Sequence, residues 1–125
     1  MIEIAKKKIL IIDDEEELAN SLGVRLKACG YEVALANSGS VGLQKFKELI
    51  PDLILLDVMM PDMDGIETLK RVREIDEKVP VIILTAYGTM KTALEAFSMN
   101  VVDHIAKPFD TKLLVEKIDS ILKNK

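Results

Sequence analysis

Short, nearly unbroken apolar runs recur along the chain, at residues 8–12, 53–56 and 81–84. Runs of this length are too short for helices and lack the alternation of a half-exposed strand. They predict parallel strands covered on both faces. Glu32 to Ala36 does alternate and predicts an edge strand, and a further strand is expected near residues 101–106. Between these runs the spacing changes. Leu18, Leu22 and Leu26 recur at helical intervals, as do Leu69, Val72 and Ile75, and Leu114, Ile118, Ile121 and Leu122. Gly30, Gly39, Gly65, Gly88 and the four prolines fall between these segments or near their ends. No internal repeat or low-complexity tract interrupts the pattern.

Strand and helix signals alternate five times, which predicts an α/β fold of five βα units with a doubly wound parallel sheet. The common order for five such strands is 2-1-3-4-5. The winding direction then reverses between strands 1 and 3, and ligands bind at the carboxyl ends of strands beside that point.

The residues expected at those ends carry chemistry. Ile9-Leu10-Ile11-Ile12 runs into Asp13 and Asp14, and Leu53-Ile54-Leu55-Leu56 into Asp57. Val81-Ile82-Ile83-Leu84 ends in Thr85, and the last strand in Lys107-Pro108. Acid, acid, hydroxyl and amine on one rim are the groups needed to hold Mg²⁺ and accept a phosphoryl group on an aspartate. Mg²⁺ takes one or two carboxylates and keeps sites for water and phosphate oxygens. A carboxylate can attack phosphorus to form an acyl phosphate, provided cations cancel the charge on the transferring group.

Each residue also has a plainer reading. Asp14 can be a helix N-cap with Glu17 at the capping-box position and Glu15 and Glu16 favouring the helix dipole. Asp57 can be a turn residue, Thr85 a capping hydroxyl and Lys107 a surface lysine. Asp64 with Glu67 reads as the N-cap box of the next helix. Pro108 raises the question of a cis peptide that would aim Lys107 inward. The plain readings do not explain why Asp13, Asp14 and Asp57 converge on the switch point.

Composition narrows the field. With 125 residues, 49% hydrophobic and 30% charged, the chain suits a single domain with its core at about 8–122. A net charge of −4 without a Lys/Arg cluster argues against nucleic-acid binding by this chain. Cys29 is the only cysteine, so no internal disulfide forms, in keeping with a reducing cytoplasm. The apolar run after the basic N-terminus is too short for a signal peptide, and no run approaches the roughly 20 residues of a membrane span.

Taken in order, Ile11-Ile12-Asp13-Asp14, Leu56-Asp57-Val58-Met59-Met60-Pro61, Met63-Asp64-Gly65, Leu84-Thr85-Ala86 and Lys107-Pro108-Phe109 strongly resemble the receiver domain of two-component response regulators. The resemblance covers nearly the whole chain. It implies a (βα)5 flavodoxin-like fold with Asp57 as phosphoacceptor. Asp14, Asp57 and the Met59 backbone carbonyl would bind Mg²⁺ (or Mn²⁺) directly, with Asp13 acting mainly through water. Thr85 and Lys107 would sense the phosphoryl group. The implied partners are a sensor histidine kinase and a histidine phosphotransfer protein, meeting the helix that starts near Glu15, with Leu18, and the loop at Pro108-Phe109. A phosphorylation-dependent dimer is left open. Such a domain is not an enzyme in the multiple-turnover sense.

Three positions depart from or tune this pattern. Receivers usually place Tyr or Phe three residues before the strand-5 lysine, where this chain has His104, a smaller group that titrates near neutral pH. His104, together with the Thr85-Ala86-Tyr87-Gly88 run, is similar to stand-alone receivers of the sporulation phosphorelay. That run also occurs in receivers of enhancer-binding activators, so an excised N-terminal domain of a longer regulator is the alternative. A phosphatase would need an acid two residues beyond Asp57, and Met59 cannot act as a general base. Tyr87 is bulky enough to screen an attacking water. Both predict a slowly hydrolysing acyl phosphate.

Overall fold

The structure is a computed structural model that describes residues 6–58, 65–85 and 99–123. Five parallel strands, β1 (Lys8–Ile12), β2 (Glu32–Ala36), β3 (Leu53–Asp57), β4 (Val81–Thr85) and β5 (Asp103–Ala106), form one sheet in the order 2-1-3-4-5. Four helices are described: α1 (Glu16–Ala28), α2 (Gly39–Leu49), α3 (Gly65–Ile75) and α4 (Thr111–Leu122). Strand order and all five strand positions are those expected from the sequence.

The continuous apolar runs are continuous because the sheet is covered twice. Every residue of β3 and β4 is buried. Side chains alternate across the sheet, so Ile9, Ile11, Leu53 and Leu55 pack with Leu22, Leu26, Leu114 and Ile118 of α1 and α4. Leu10, Ile12, Ile54 and Leu56 pack on the other face with Phe46, Leu69 and Val72 of α2 and α3. β2 and β5 are the edges and only partly buried. The registers Ile9↔Leu53 through Ile12↔Leu56 and Leu56↔Ile83 bring the ends of β1, β3 and β4 to one level.

Helix ends follow local chemistry. α1 stops in a Schellman arrangement: the Tyr31 N–H donates to the Leu26 carbonyl (3.2 Å) and the Gly30 N–H to the Lys27 carbonyl (3.0 Å). Gly30 sits at φ +100°, a conformation that costs a side chain about 1–2 kcal/mol. The Ser38 hydroxyl caps α2 by accepting from the Val41 N–H, and Asp110 caps α4 through Lys112 and Leu113. The sequence pattern did not single out α2, where glycines at 39 and 42 dilute the periodicity. Ile75, expected on an apolar face, is 53% exposed. No helix among the described residues is long and apolar enough to cross a membrane.

Tyr31 ties α1 to α4 by donating its phenol to the Asp119 carboxylate. Burial, then the Asp119 carboxylate, push the phenol well above its ordinary value of about 10. The folded state therefore holds this proton more tightly than the unfolded chain. The contribution is fully present below pH of about 10 and is lost as pH climbs through the raised value. Urea midpoints measured between neutral pH and the alkaline limit should fall more steeply for the wild type than for Tyr31→Phe. Parallel curves would remove Tyr31 as the cause.

Candidate functional site

β1 delivers Asp13 and Asp14 to the carboxyl rim, β3 delivers Asp57, β4 Thr85 and β5 Lys107. Asp13, Asp57 and Thr85 are buried, at 2%, 4% and 1% exposure, while Asp14 is exposed. One carboxylate oxygen from each of Asp13, Asp14 and Asp57 lies within 4.8 Å of the others, close enough to share one cation. Two of these three are taken out of water, and like charges so placed repel. A hard divalent ion with oxygen preference fits this donor set.

Lys107 reaches the same cluster. Its Nζ donates to Asp13 Oδ2 at 2.7 Å, Glu15 Oε1 at 2.8 Å and Asp57 Oδ2 at 3.2 Å, and its side chain is only 6% exposed. The Lys107–Pro108 peptide is cis, with the ammonium turned into the rim. The Lys107 N–H also donates to the Thr85 carbonyl at 2.9 Å, fixing the two strand ends to each other.

Electrostatics at the rim are unbalanced. Burial pushes the Asp13 carboxyl above the usual range, and its hydrogen bonds from Lys107 and the Glu15 N–H only partly offset this. Burial would lower Lys107, but its hydrogen bonds to Asp13 and Glu15 outweigh that and hold the ammonium above the usual lysine range. The two directions are compatible. One ammonium is shared among several carboxylates, so it is over-supplied with partners while buried Asp13 is under-supplied.

The capping role open to Asp14 is not realised. Glu15 occupies the N-cap of α1 without a side-chain cap bond, and Asp13 Oδ1 instead accepts from the Glu15 N–H at 2.9 Å. His104 lies in β5 opposite Ile83, half-buried, and its N–H donates to Asp103 Oδ1 at 2.7 Å. Met59 and Tyr87 lie outside the described residues, as does Asp64. Two features went unread in the sequence. Glu15 joins Lys107, a role hinted at only by its place directly after Asp14. Arg73 of α3 donates to the carbonyls of Met99 (2.8 Å), Asn100 (3.1 Å) and Asp76 (3.2 Å), which no spacing rule signals. Beside the rim, Leu18, Pro108, Phe109, Glu15 and Thr111 line a mostly apolar groove of about 360 Å³.

A family model of the response regulator receiver domain matches residues 9–119, and the chain belongs to that family. It is 41% identical over 106 residues to the regulatory protein AtoC of Escherichia coli K12, covering 85% of this chain and 23% of that protein. The chain thus spans about a quarter of the length of the first curated relatives it matches. Among solved structures, a CheY-like receiver domain from Methanospirillum hungatei superimposes with a TM-score of 0.92 at 30% identity over 96% of both chains. A CheX–CheY–BeF3–Mg complex from Borrelia burgdorferi gives 0.84 at 26% identity over 92% of this chain and 88% of that one. Receiver domains bind Mg²⁺ at an acidic pocket and work with histidine kinases and phosphotransfer proteins.

Proposed function

We propose that this receiver accepts a phosphoryl group on Asp57 from a phosphohistidine. The observation that carries the reading is the placement of one buried carboxylate, Asp57, within reach of both the Asp13/Asp14 pair and the Lys107 ammonium. A Asp57 carboxylate oxygen attacks phosphorus, the new O–P bond forms, and the P–N bond to the donor imidazole breaks, the imidazole nitrogen keeping the electron pair and taking up a proton. Asp13, Asp14 and Asp57 would hold Mg²⁺, or Mn²⁺ in its place, with the Met59 carbonyl as a further donor. Bound there, the ion supplies the positive charge that lets an anionic phosphoryl group approach these carboxylates. Lys107 and Thr85 hold phosphoryl oxygens, through the ammonium and the hydroxyl.

The chemistry is stoichiometric, one phosphoryl group per domain, and hydrolysis is expected to be slow, since a methionine at position 59 has no side-chain base and the sequence puts the bulky Tyr87 two residues beyond Thr85, where it would screen water. A kinase or phosphotransfer helix would dock at the groove of Leu18, Pro108 and Phe109, which flanks the rim. Cytoplasmic placement is in keeping with the receiver family and with a single cysteine that forms no internal disulfide. His104 stands where an aromatic switch residue usually does. Thr85 and Lys107, joined through their backbones, would carry phosphorylation to the β4–β5 surface, and a dimer formed there is one outcome. The fraction of AtoC that is matched favours a second setting, in which this receiver is the regulatory domain of a longer transcriptional regulator.

The direct test is intact-mass spectrometry after incubation with a small acyl phosphate and Mg²⁺, where one slowly lost phosphoryl adduct is expected. Metal binding has its own readout. At Mg²⁺ about 100-fold above its dissociation constant, unfolding in urea should become harder by about 2.7 kcal/mol, reversed by a chelator. Asp14→Asn should shrink that gain. An undiminished gain would place the ion elsewhere.

A further inference from the structure

Among the described residues, Glu15 is the one ion-pair partner of the Lys107 ammonium outside the Asp13, Asp14, Asp57 triad. It is also the odd member by environment, since its side chain is 58% exposed while those of Asp13 and Asp57 are nearly fully buried. A residue at an N-cap usually spends its side chain on the first turn of its helix, and Glu15 makes no such bond. Its carboxylate lies 2.8 Å from Lys107 Nζ, whereas Asp57, where the phosphoryl group arrives, lies at 3.2 Å. The ammonium has three protons to donate, and all three have carboxylate acceptors before any phosphoryl oxygen arrives.

We propose that Glu15 is a positioning residue that tethers Lys107, so that a phosphoryl group on Asp57 gains the lysine only by displacing the Glu15 carboxylate. The proposal rests on the phosphoacceptor reading of Asp57. Glu15 suits this role because it is the partner that can be released at least cost: exposed, it regains water on leaving, whereas Asp13 would be left buried without its cation. With its carboxylate partner in solvent the pair contributes little, so the tether changes the reaction by a modest factor rather than deciding whether it occurs.

The test uses wild type, Glu15→Gln and Glu15→Asp, each with and without Lys107→Met, under a small acyl phosphate and Mg²⁺. Initial rates of adduct formation are read by intact mass. Removing the tether should speed the reaction roughly two- to fivefold. Glu15→Asp is the discriminating variant, because it keeps the charge but loses one methylene of reach. It should behave like Glu15→Gln, and neither substitution should change the rate once Lys107→Met is present. A Glu15→Asp rate equal to wild type, or an acceleration that survives in Lys107→Met, would show bulk charge at work and overturn the tether. A second readout does not depend on phosphorylation. Acylation of the Lys107 amine by an amine-selective reagent, located by peptide mass, should rise in both Glu15 variants and stay level if no tether exists. Absence of an adduct in the wild type would sink the phosphoacceptor reading, while the acylation result would still decide the tether.

Discussion

Asp57→Asn should abolish the phosphoryl adduct that the wild type forms with a small acyl phosphate and Mg²⁺. The amide has the shape of the carboxylate but no anionic oxygen to attack phosphorus, so the loss is one of chemistry. The fold should survive. Asp57 is 4% exposed and faces the Asp13 and Asp14 carboxylates, and Lys107 keeps Asp13 and Glu15 as partners when Asp57 loses its charge, so the amide relieves the rim rather than breaking it. The urea midpoint without metal should therefore stay level or rise while the adduct disappears. Intact mass and urea denaturation on the same preparation separate the two effects. An adduct of undiminished yield in the variant would move the phosphoacceptor to another residue, and a collapsed fold would mean that Asp57 is a structural partner first.

Gly65→Ala should be among the most destabilising single-methyl changes in the domain. A Cβ at this position would stand 2.1 Å from Val58 Cα and 2.5 Å from the Asp57 carbonyl oxygen. Both are backbone atoms, which cannot turn aside as a side chain does. The first turn of α3 is held against the end of β3 by the Gly65 N–H donating to the Val58 carbonyl at 3.2 Å, and the added methyl would force that contact apart. Overpacking commonly costs about 1–3 kcal/mol, and a backbone clash next to a central strand belongs at or above the upper figure. Gly30→Ala makes the comparison. There a Cβ meets nothing within 4 Å, and the only penalty is the left-handed φ, about 1–2 kcal/mol. Urea midpoints should fall further for Gly65→Ala than for Gly30→Ala. The reverse order would mean that α3 does not approach β3 this closely. Because the displaced atoms belong to the peptide after Asp57, the rate of adduct formation should fall with stability.

The strands were legible because burial on both faces leaves its mark in composition alone. Residues such as Leu53 to Leu56 have no polar option at any position, and the strand order is the common one for five βα units. The rim was legible for a related reason. Asp13, Asp57, Thr85 and Lys107 each interrupt or end an apolar run, and parallel strands bring all such ends to one edge. What escaped the sequence depends on reach rather than on position. Glu15 meets Lys107 across 92 residues through a long flexible side chain. Asp14 had the identity of a cap, yet the helix starts one residue later, because Asp13 accepts the Glu15 N–H. Ile75 shows the opposite limit: its spacing matches the apolar face of α3, but the helix ends there and leaves it in solvent.

The guanidinium of Arg73 has a mechanical meaning. It grips the carbonyls of Met99 and Asn100, directly ahead of β5, from a helix on the neighbouring part of the sheet. The entry to β5 is thereby pinned, while its far end carries Lys107. With Arg73 holding the segment ahead of β5 and the Lys107 N–H holding its end to the Thr85 carbonyl, the strand is anchored to its neighbours at both ends.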